Sequence, residues 1–230
     1  MSEEHEMQDS YERILQFGGH AAVGKERAPS WQAKQVLDRL IRGNSGYKTL
    51  EVNPAQMTQN HRKTIAEQGQ SPCAVILTCA DSRVPPEHIF HAGLGELFVI
   101  RNAGNLMGFY SLGSVEYAVR HLNAPLVVVM GHTGCGAVHA AMHEEATGAL
   151  GWILDTVKSH LGGTQDASLA ERRNLLANLA HISTSQVLCH LYERGDVDFA
   201  AAMYDIHTGH VEFLQDCSSD ERDKEFQSLA

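Results

Sequence analysis

Three apolar runs along the chain are too short for helices and show no polar alternation: Ala74-Val75-Ile76-Leu77, Leu97-Phe98-Val99-Ile100 and Leu126-Val127-Val128-Val129-Met130. Runs of this kind read as strands buried on both faces, the pattern of a parallel sheet. They predict strands over residues 73–78, 97–100 and 126–130. Elsewhere the apolar period lengthens to that of a helix. Ala33, Val36, Leu37, Leu40 and Ile41 form one stripe, opened by Ser30 as an N-cap and stopped by Gly43-Asn44-Ser45-Gly46. Leu112, Val115, Ala118, Val119 and Leu122 form another over 111–122, with Glu116 and Arg120 spaced to pair. Further helices are expected over 54–68, 87–91, 136–145 and 152–160, and one long helix over 168–194. That helix would turn Leu175, Leu176, Leu179, Ile182, Val187 and Leu191 inward. A strand over 197–206, a turn at His207-Thr208-Gly209-His210 and a short strand over 211–214 close the pattern.

Strands alternating with helices predict an α/β fold: a mostly parallel central β-sheet flanked by helices. The expected organisation is a flexible arm over 1–28, one α/β domain over 29–214 and a charged tail over 215–230. The helical segment ahead of the first strand could cover its own domain or a partner subunit.

The 230 residues suffice for one sizeable core. A formal net charge of −10 argues against nucleic acid or an anionic membrane as partner. No apolar run approaches the roughly 20 residues a membrane helix needs. The polar, acidic residues 1–10 resemble neither a secretory signal nor a transit peptide, so a cytoplasmic location is the default, although a processed organellar precursor would look the same. Five sparse cysteines without a Cys-x-x-Cys do not make a disulfide framework; thiols committed to a metal in a reducing compartment fit better.

In parallel sheets, ligands bind beyond the carboxyl ends of the strands. Three polar stretches fall there: Cys79-Ala80-Asp81-Ser82-Arg83, Arg101-Asn102-Ala103-Gly104-Asn105 and Gly131-His132-Thr133-Gly134-Cys135-Gly136. His132 and Cys135, three apart at the mouth of a predicted helix, can hold one ion together, and Cys79 adds a third donor. Two thiolates and an imidazole select zinc. Three protein ligands leave one position for water, as in catalytic zinc sites. Cys73 comes too early on its strand to join, and Cys189 lies in a helical pattern. Two thiolates also weaken zinc as an acid, so the water needs help in losing its proton. Asp81 is the natural acceptor for it. A free carboxylate could instead bind zinc as a fourth ligand and close the site, and a bidentate pair with Arg83 would hold it off. Singly these signals are weak: a lone cysteine at a strand end is most often a small buried residue, and an Asp-x-Arg a surface pair. Their placement on one predicted sheet edge gives them weight together.

The segments Cys79-Ala80-Asp81-Ser82-Arg83-Val84-Pro85, Gly95-Glu96-Leu97-Phe98-Val99, Arg101-Asn102-Ala103-Gly104-Asn105 and Gly131-His132-Thr133-Gly134-Cys135-Gly136 closely resemble the β-class carbonic anhydrases. The resemblance extends over about residues 32–214. It implies zinc on Cys79, His132 and Cys135, Asp81 and Arg83 as a catalytic pair, and reversible hydration of carbon dioxide to bicarbonate and a proton. It also implies a homodimer or dimer of dimers, with the N-terminal helices wrapping the neighbour. The Gly136 backbone N–H, at a helix start, would bind the anionic product. His88, His91, His139 and His143 are candidates for carrying the released proton. Some bacterial members carry a Trp of a second bicarbonate site where this chain has Ile76, whereas Arg101 and Tyr204 match that site's other residues. Two alternatives remain on the same fold: a hydrolase of carbon disulfide or carbonyl sulfide, and a non-catalytic bicarbonate-binding relative.

Overall fold

The computed structural model describes residues 31–53 and 58–214; the expected arm, the Ser30 cap and the tail lie outside them. Its sheet has the order β2-β1-β3-β4-β5. The strands are β1 (Ala74–Cys79), β2 (Leu97–Asn102), β3 (Leu126–His132), β4 (Asp198–Tyr204) and β5 (Val211–Phe213). β1 to β4 are parallel and β5 returns antiparallel to β4. β1 and β3 are buried at every position, which is why neither run alternates. The helices are α1 (Trp31–Lys48), α2 (Gln59–Gln68), α3 (Pro86–Ile89), α4 (Phe109–Leu122), α5 (Gly136–His143), α6 (Gly148–His160), α7 (Ala167–His181) and α8 (Gln186–Arg194).

Alternate residues of the strands feed two cores. Val75, Leu77, Val127, Val129, Ala201 and Met203 pack against α4, α7 and α8. Ala74, Ile76, Val128, Met130, Ala200 and Ala202 pack against α1 and α3. A third cluster caps the carboxyl end of the sheet, where Cys79 and Cys135 sit among Val138, Leu154, Val157 and Ala170. The thiols therefore lie in an apolar lid built by α5, α6 and α7.

Several boundaries differ from the sequence reading for identifiable reasons. α1 does not stop at Gly43 but runs on to Lys48. Gly43 lies against the Phe90 backbone, where a Cβ would collide with the carbonyl oxygen. Asn44 is buried and ties three segments: its Nδ2 donates to the Ile89 and Gly209 carbonyls, and its Oδ1 accepts from Val211 N. Both residues serve close packing rather than helix termination. The face of α1 carrying Ala33, Leu37 and Leu40 is buried on its own chain's sheet; each such leucine contributes about 1.5–3 kcal/mol. The helix left open is α2, which buries no residue.

The helix expected over 168–194 is two helices, broken at Ile182–Thr184, with Ser185 capping α8 through a hydrogen bond from Leu188 N. The break resets the helical phase, so Leu188 is fully buried while Val187 is only partly so. Glu116 accepts a hydrogen bond from Ser185 Oγ at 2.6 Å, joining α4 to that break.

Candidate metal centre

Register brings the donors together. Cys79 and Asn102 are paired ends of β1 and β2, and His132 ends β3, beside β1. All three lie within the ladders rather than in loops after them. Cys135 is the N-cap of α5, three residues past His132. One donor atom from each of Cys79, His132 and Cys135 lies within 4.8 Å of the others, and all three residues are buried. The two sulfurs are 4.0 Å apart.

The donor set fits a zinc ion on two grounds. His132 Nδ1 faces the Thr133 carbonyl at 3.0 Å, so it carries the proton and Nε2 is left as a bare acceptor. That Nε2 is buried and has no partner; among the described residues only Asn105 Nδ2 shares this condition. A buried nitrogen without a partner is costly unless something absent from the protein itself binds it. The second ground is the thiols. Cys79 is pushed down, chiefly by the hydrogen bond from Cys135, with help from the Asp81 and Gly104 backbone N–H groups. Cys135 is pushed up by donating that hydrogen bond, by burial and by the Cys79 charge. Two buried thiolates this close need a cation between them before both can ionise. The Ala137 and Val138 N–H groups at the start of α5 favour the charged form of Cys135.

Asp81 stands beside this cluster in a fixed pose. Arg83 Nε donates to Asp81 Oδ1 at 2.9 Å and Nη2 to Oδ2 at 2.7 Å. The Arg83 backbone N–H also reaches Oδ1 at 2.9 Å. These bonds, the side-chain ones first, hold the Asp81 carboxyl well below the usual carboxylate range. Arg83 Nη2 also donates to the Gly134 carbonyl at 3.2 Å, tying the β1 loop to the β3 loop. Arg101 completes the frame: its Nε donates to the Cys79 carbonyl and its Nη2 to the Asp81 carbonyl, at 3.1 and 2.6 Å. Tyr204 meets Tyr47, their hydroxyls 3.1 Å apart, and Ile76 is fully buried.

The remaining candidates are placed as follows. Gly136 is the exposed first residue of α5, with open space where a Cβ would be. His139 and His143 lie exposed on that helix with ring centroids 4.6 Å apart. His88 is exposed on α3, and His91 contacts the Tyr47 ring edge-on. The sequence reading did not single out Glu171, whose Oε1 accepts from Cys135 N at 3.1 Å, or Asn174, whose Nδ2 donates to the Gly104 carbonyl at 2.9 Å. Their signal is a polar line, Glu171, Asn174 and Asn178, on one face of a helix otherwise read from its leucines.

Residues 74–211 match the family model described as carbonic anhydrase. Carbonic anhydrase 2 of Mycobacterium tuberculosis (strain CDC 1551 / Oshkosh) is 44% identical over 132 residues, 56% of this chain and 60% of that protein. The alignment thus spans less than two thirds of that relative's length. The carbonic anhydrase of Pseudomonas aeruginosa is 33% identical over 179 residues, 70% of this chain and 79% of the relative. Among solved structures, the β-carbonic anhydrase CafA of Aspergillus fumigatus superposes with a TM-score of 0.59 at 27% identity, covering 74% of this chain and 89% of that one.

Proposed function

The chain belongs to the β-class carbonic anhydrases, and from that premise we propose that it catalyses the reversible hydration of carbon dioxide to bicarbonate and a proton. The carrying observation is the buried cluster of Cys79, His132 and Cys135, with an unpartnered His132 Nε2, beside an Asp81 locked by Arg83. Cys79, His132 and Cys135 are the ligands in this reading. Zinc held there supplies a water of lowered pKa as nucleophile. Asp81 accepts a hydrogen bond from the attacking water and sets its direction. Because both carboxylate oxygens are engaged by Arg83, Asp81 would be held off a zinc ion on Cys79, His132 and Cys135 and kept for the water. The apolar lid of Val138, Leu154 and Val157 excludes bulk water behind the thiols. The Gly136 N–H receives the anionic product at the start of α5. Stopped-flow hydration of carbon dioxide, with carbonyl sulfide as control substrate and zinc measured on the same sample, tests the assignment. Zinc-loaded protein without hydration activity would overturn it.

The same reading makes the protein a homodimer or dimer of dimers. β2 is a sheet edge whose residues Leu97, Phe98, Val99 and Ile100 are only partly buried. Phe109 and Tyr110 beside it are 86% and 87% exposed. An apolar edge strand flanked by bare aromatics is the surface a second copy covers. Light scattering after size exclusion tests this, and a monomer would refute it. A cytoplasmic location belongs to the same reading, and fluorescence of a tagged full chain in its own cells tests it. No helix among the described residues is long and apolar enough to cross a membrane.

A further inference from the structure

α7 packs on the sheet with leucines on one side and buries polar groups on another. Glu171, Arg173, Asn174 and Asn178 are all buried. Burying a carboxylate and two amides is costly unless each is satisfied. Their partners lie on the Cys135 loop, on the segment after β2 and at the end of α6.

Glu171 reaches the Cys135 loop. Its Oε1 accepts from Cys135 N at 3.1 Å, and the Gly134 N–H also favours its charged form against the opposing effect of burial. Asn174, almost one turn on, reaches the segment that follows β2, the strand paired with the Cys79 end of β1. Its Nδ2 donates to the Gly104 carbonyl at 2.9 Å. Gly104 follows Asn102 by two residues, and Asn102 is the register partner of Cys79 at the paired ends of β2 and β1. The Gly104 backbone has φ +74°, and a Cβ there would press on Val157 Cγ2 at 3.1 Å, so glycine is the residue this point of the segment accepts. Asn178, a further turn along, accepts from Met107 N at 2.7 Å and donates to the Asn174 carbonyl at 2.7 Å. His160 Nδ1 meets Asn174 Oδ1 at 2.9 Å from α6 and fixes the amide's orientation.

We propose that Glu171 and Asn174 are positioning residues, Glu171 holding the Cys135 loop and Asn174 the segment after β2 that flanks Cys79, so that the grip on the metal is set from α7. The spacing supports this: positions i and i+3 on a helix share a face, and here one such pair reaches both the Cys135 loop and the segment after β2. Neither side chain is itself assigned as a ligand. Each acts through a backbone group next to a thiol, as outer partners of metal ligands commonly do.

The proposal rests on zinc occupying the Cys79, His132 and Cys135 site, and its test is metal release rather than turnover. Zinc-loaded variants are mixed with the chromogenic chelator 4-(2-pyridylazo)resorcinol well below their unfolding temperature. Glu171→Ala and Asn174→Ala are expected to release zinc about 10–100-fold faster, the range typical for lost outer partners of metal ligands. Glu171→Gln keeps an acceptor for Cys135 N and is expected to release zinc far more slowly than Glu171→Ala. Leu175→Ala, which cuts the apolar side of the same helix, is the control: it lowers thermal stability and leaves the release rate near wild type. In cobalt-substituted protein, the thiolate-to-metal charge-transfer band changes in the two alanine variants and is restored in Glu171→Gln. Wild-type release from both alanine variants, or equal acceleration by Leu175→Ala, overturns the proposal. If Glu171→Ala does not fold, Asn174→Ala decides by the same comparison. Zinc-loaded wild type that fails to hydrate carbon dioxide would instead sink the functional assignment and leave the positioning result standing.

Discussion

Arg83 grips both carboxylate oxygens of Asp81, at 2.9 Å through Nε and 2.7 Å through Nη2, and the same guanidinium reaches the Gly134 carbonyl beside Cys135. One side chain thus fixes the carboxylate and spans the segments that follow β1 and β3. Arg101 holds the same segment from behind through the Cys79 and Asp81 carbonyls.

Breaking this grip should separate catalysis from metal binding. Asp81→Asn and Arg83→Ala are each expected to lower carbon dioxide hydration by about 10²-fold or more, the scale of a lost proton-handling group. Zinc content should stay near that of wild type. Stopped-flow assays paired with elemental analysis check this, and near-normal turnover in either variant would refute the roles given to the pair.

Removing a ligand should do the opposite. His132→Ala and Cys135→Ser are expected to lose zinc, and with it the part of thermal stability that metal binding adds. In wild type a chelator should lower the unfolding midpoint, and returned zinc should restore it. A midpoint indifferent to chelator in zinc-loaded wild type would contradict a metal held by these residues.

At Gly43 the sign of a mutational effect distinguishes packing from helix propensity. In an open helix interior Gly→Ala stabilises by roughly 0.5–1 kcal/mol. Here the Cβ meets the Phe90 backbone, so Gly43→Ala is expected to destabilise, by about 1–3 kcal/mol. Chemical denaturation measures the difference, and a stabilised variant would show that α1 does not approach α3 so closely.

His160 gives a pH signature. Burial first, and then the neighbouring His181, lower its pKa, with the Asn174 hydrogen bond opposing them. The folded state therefore resists protonation below the ordinary value of about 6.5. Above that value both folded and unfolded states are neutral and the group contributes nothing. As pH falls through it, the unfolded chain takes up a proton first and stability declines until the lower folded value is reached. His160→Gln should lessen the drop in melting temperature between pH 7.5 and 5.5. An unchanged drop would remove His160 as its source.

Much of this site is legible in the chain because its parts are local. Cys79-Ala80-Asp81-Ser82-Arg83 carries both partners of the carboxylate pair within five residues, and His132 and Cys135 lie within one turn of each other. Apolar runs identified the buried strands because strands covered on both faces have no polar alternation to confuse the reading. What escaped depends on contacts far apart in sequence. Gly43 and Asn44 carry the marks of a helix stop, and only the Phe90 backbone and the β5 segment reveal them as packing residues. Ser185 looks like one more polar helical residue until its side chain caps Leu188 N. Glu171 lies 36 residues from the backbone group it holds, and no periodicity in the chain encodes that distance.

The strand order also constrains the sequence of events in folding. Cys79 and His132 end strands that neighbour one another, yet α3, β2 and α4 intervene between them along the chain. Their donors meet only once β1 has paired with β3 across that crossover, and pairing between distant strands is slow to form. His132 and Cys135 are local partners, but Cys79 joins them only through that pairing, so the full donor set does not gather locally as it does in a zinc finger. Zinc bound at these residues would act as a latch on an assembled sheet, and slower unfolding of zinc-loaded than of chelated protein is the outcome that checks it.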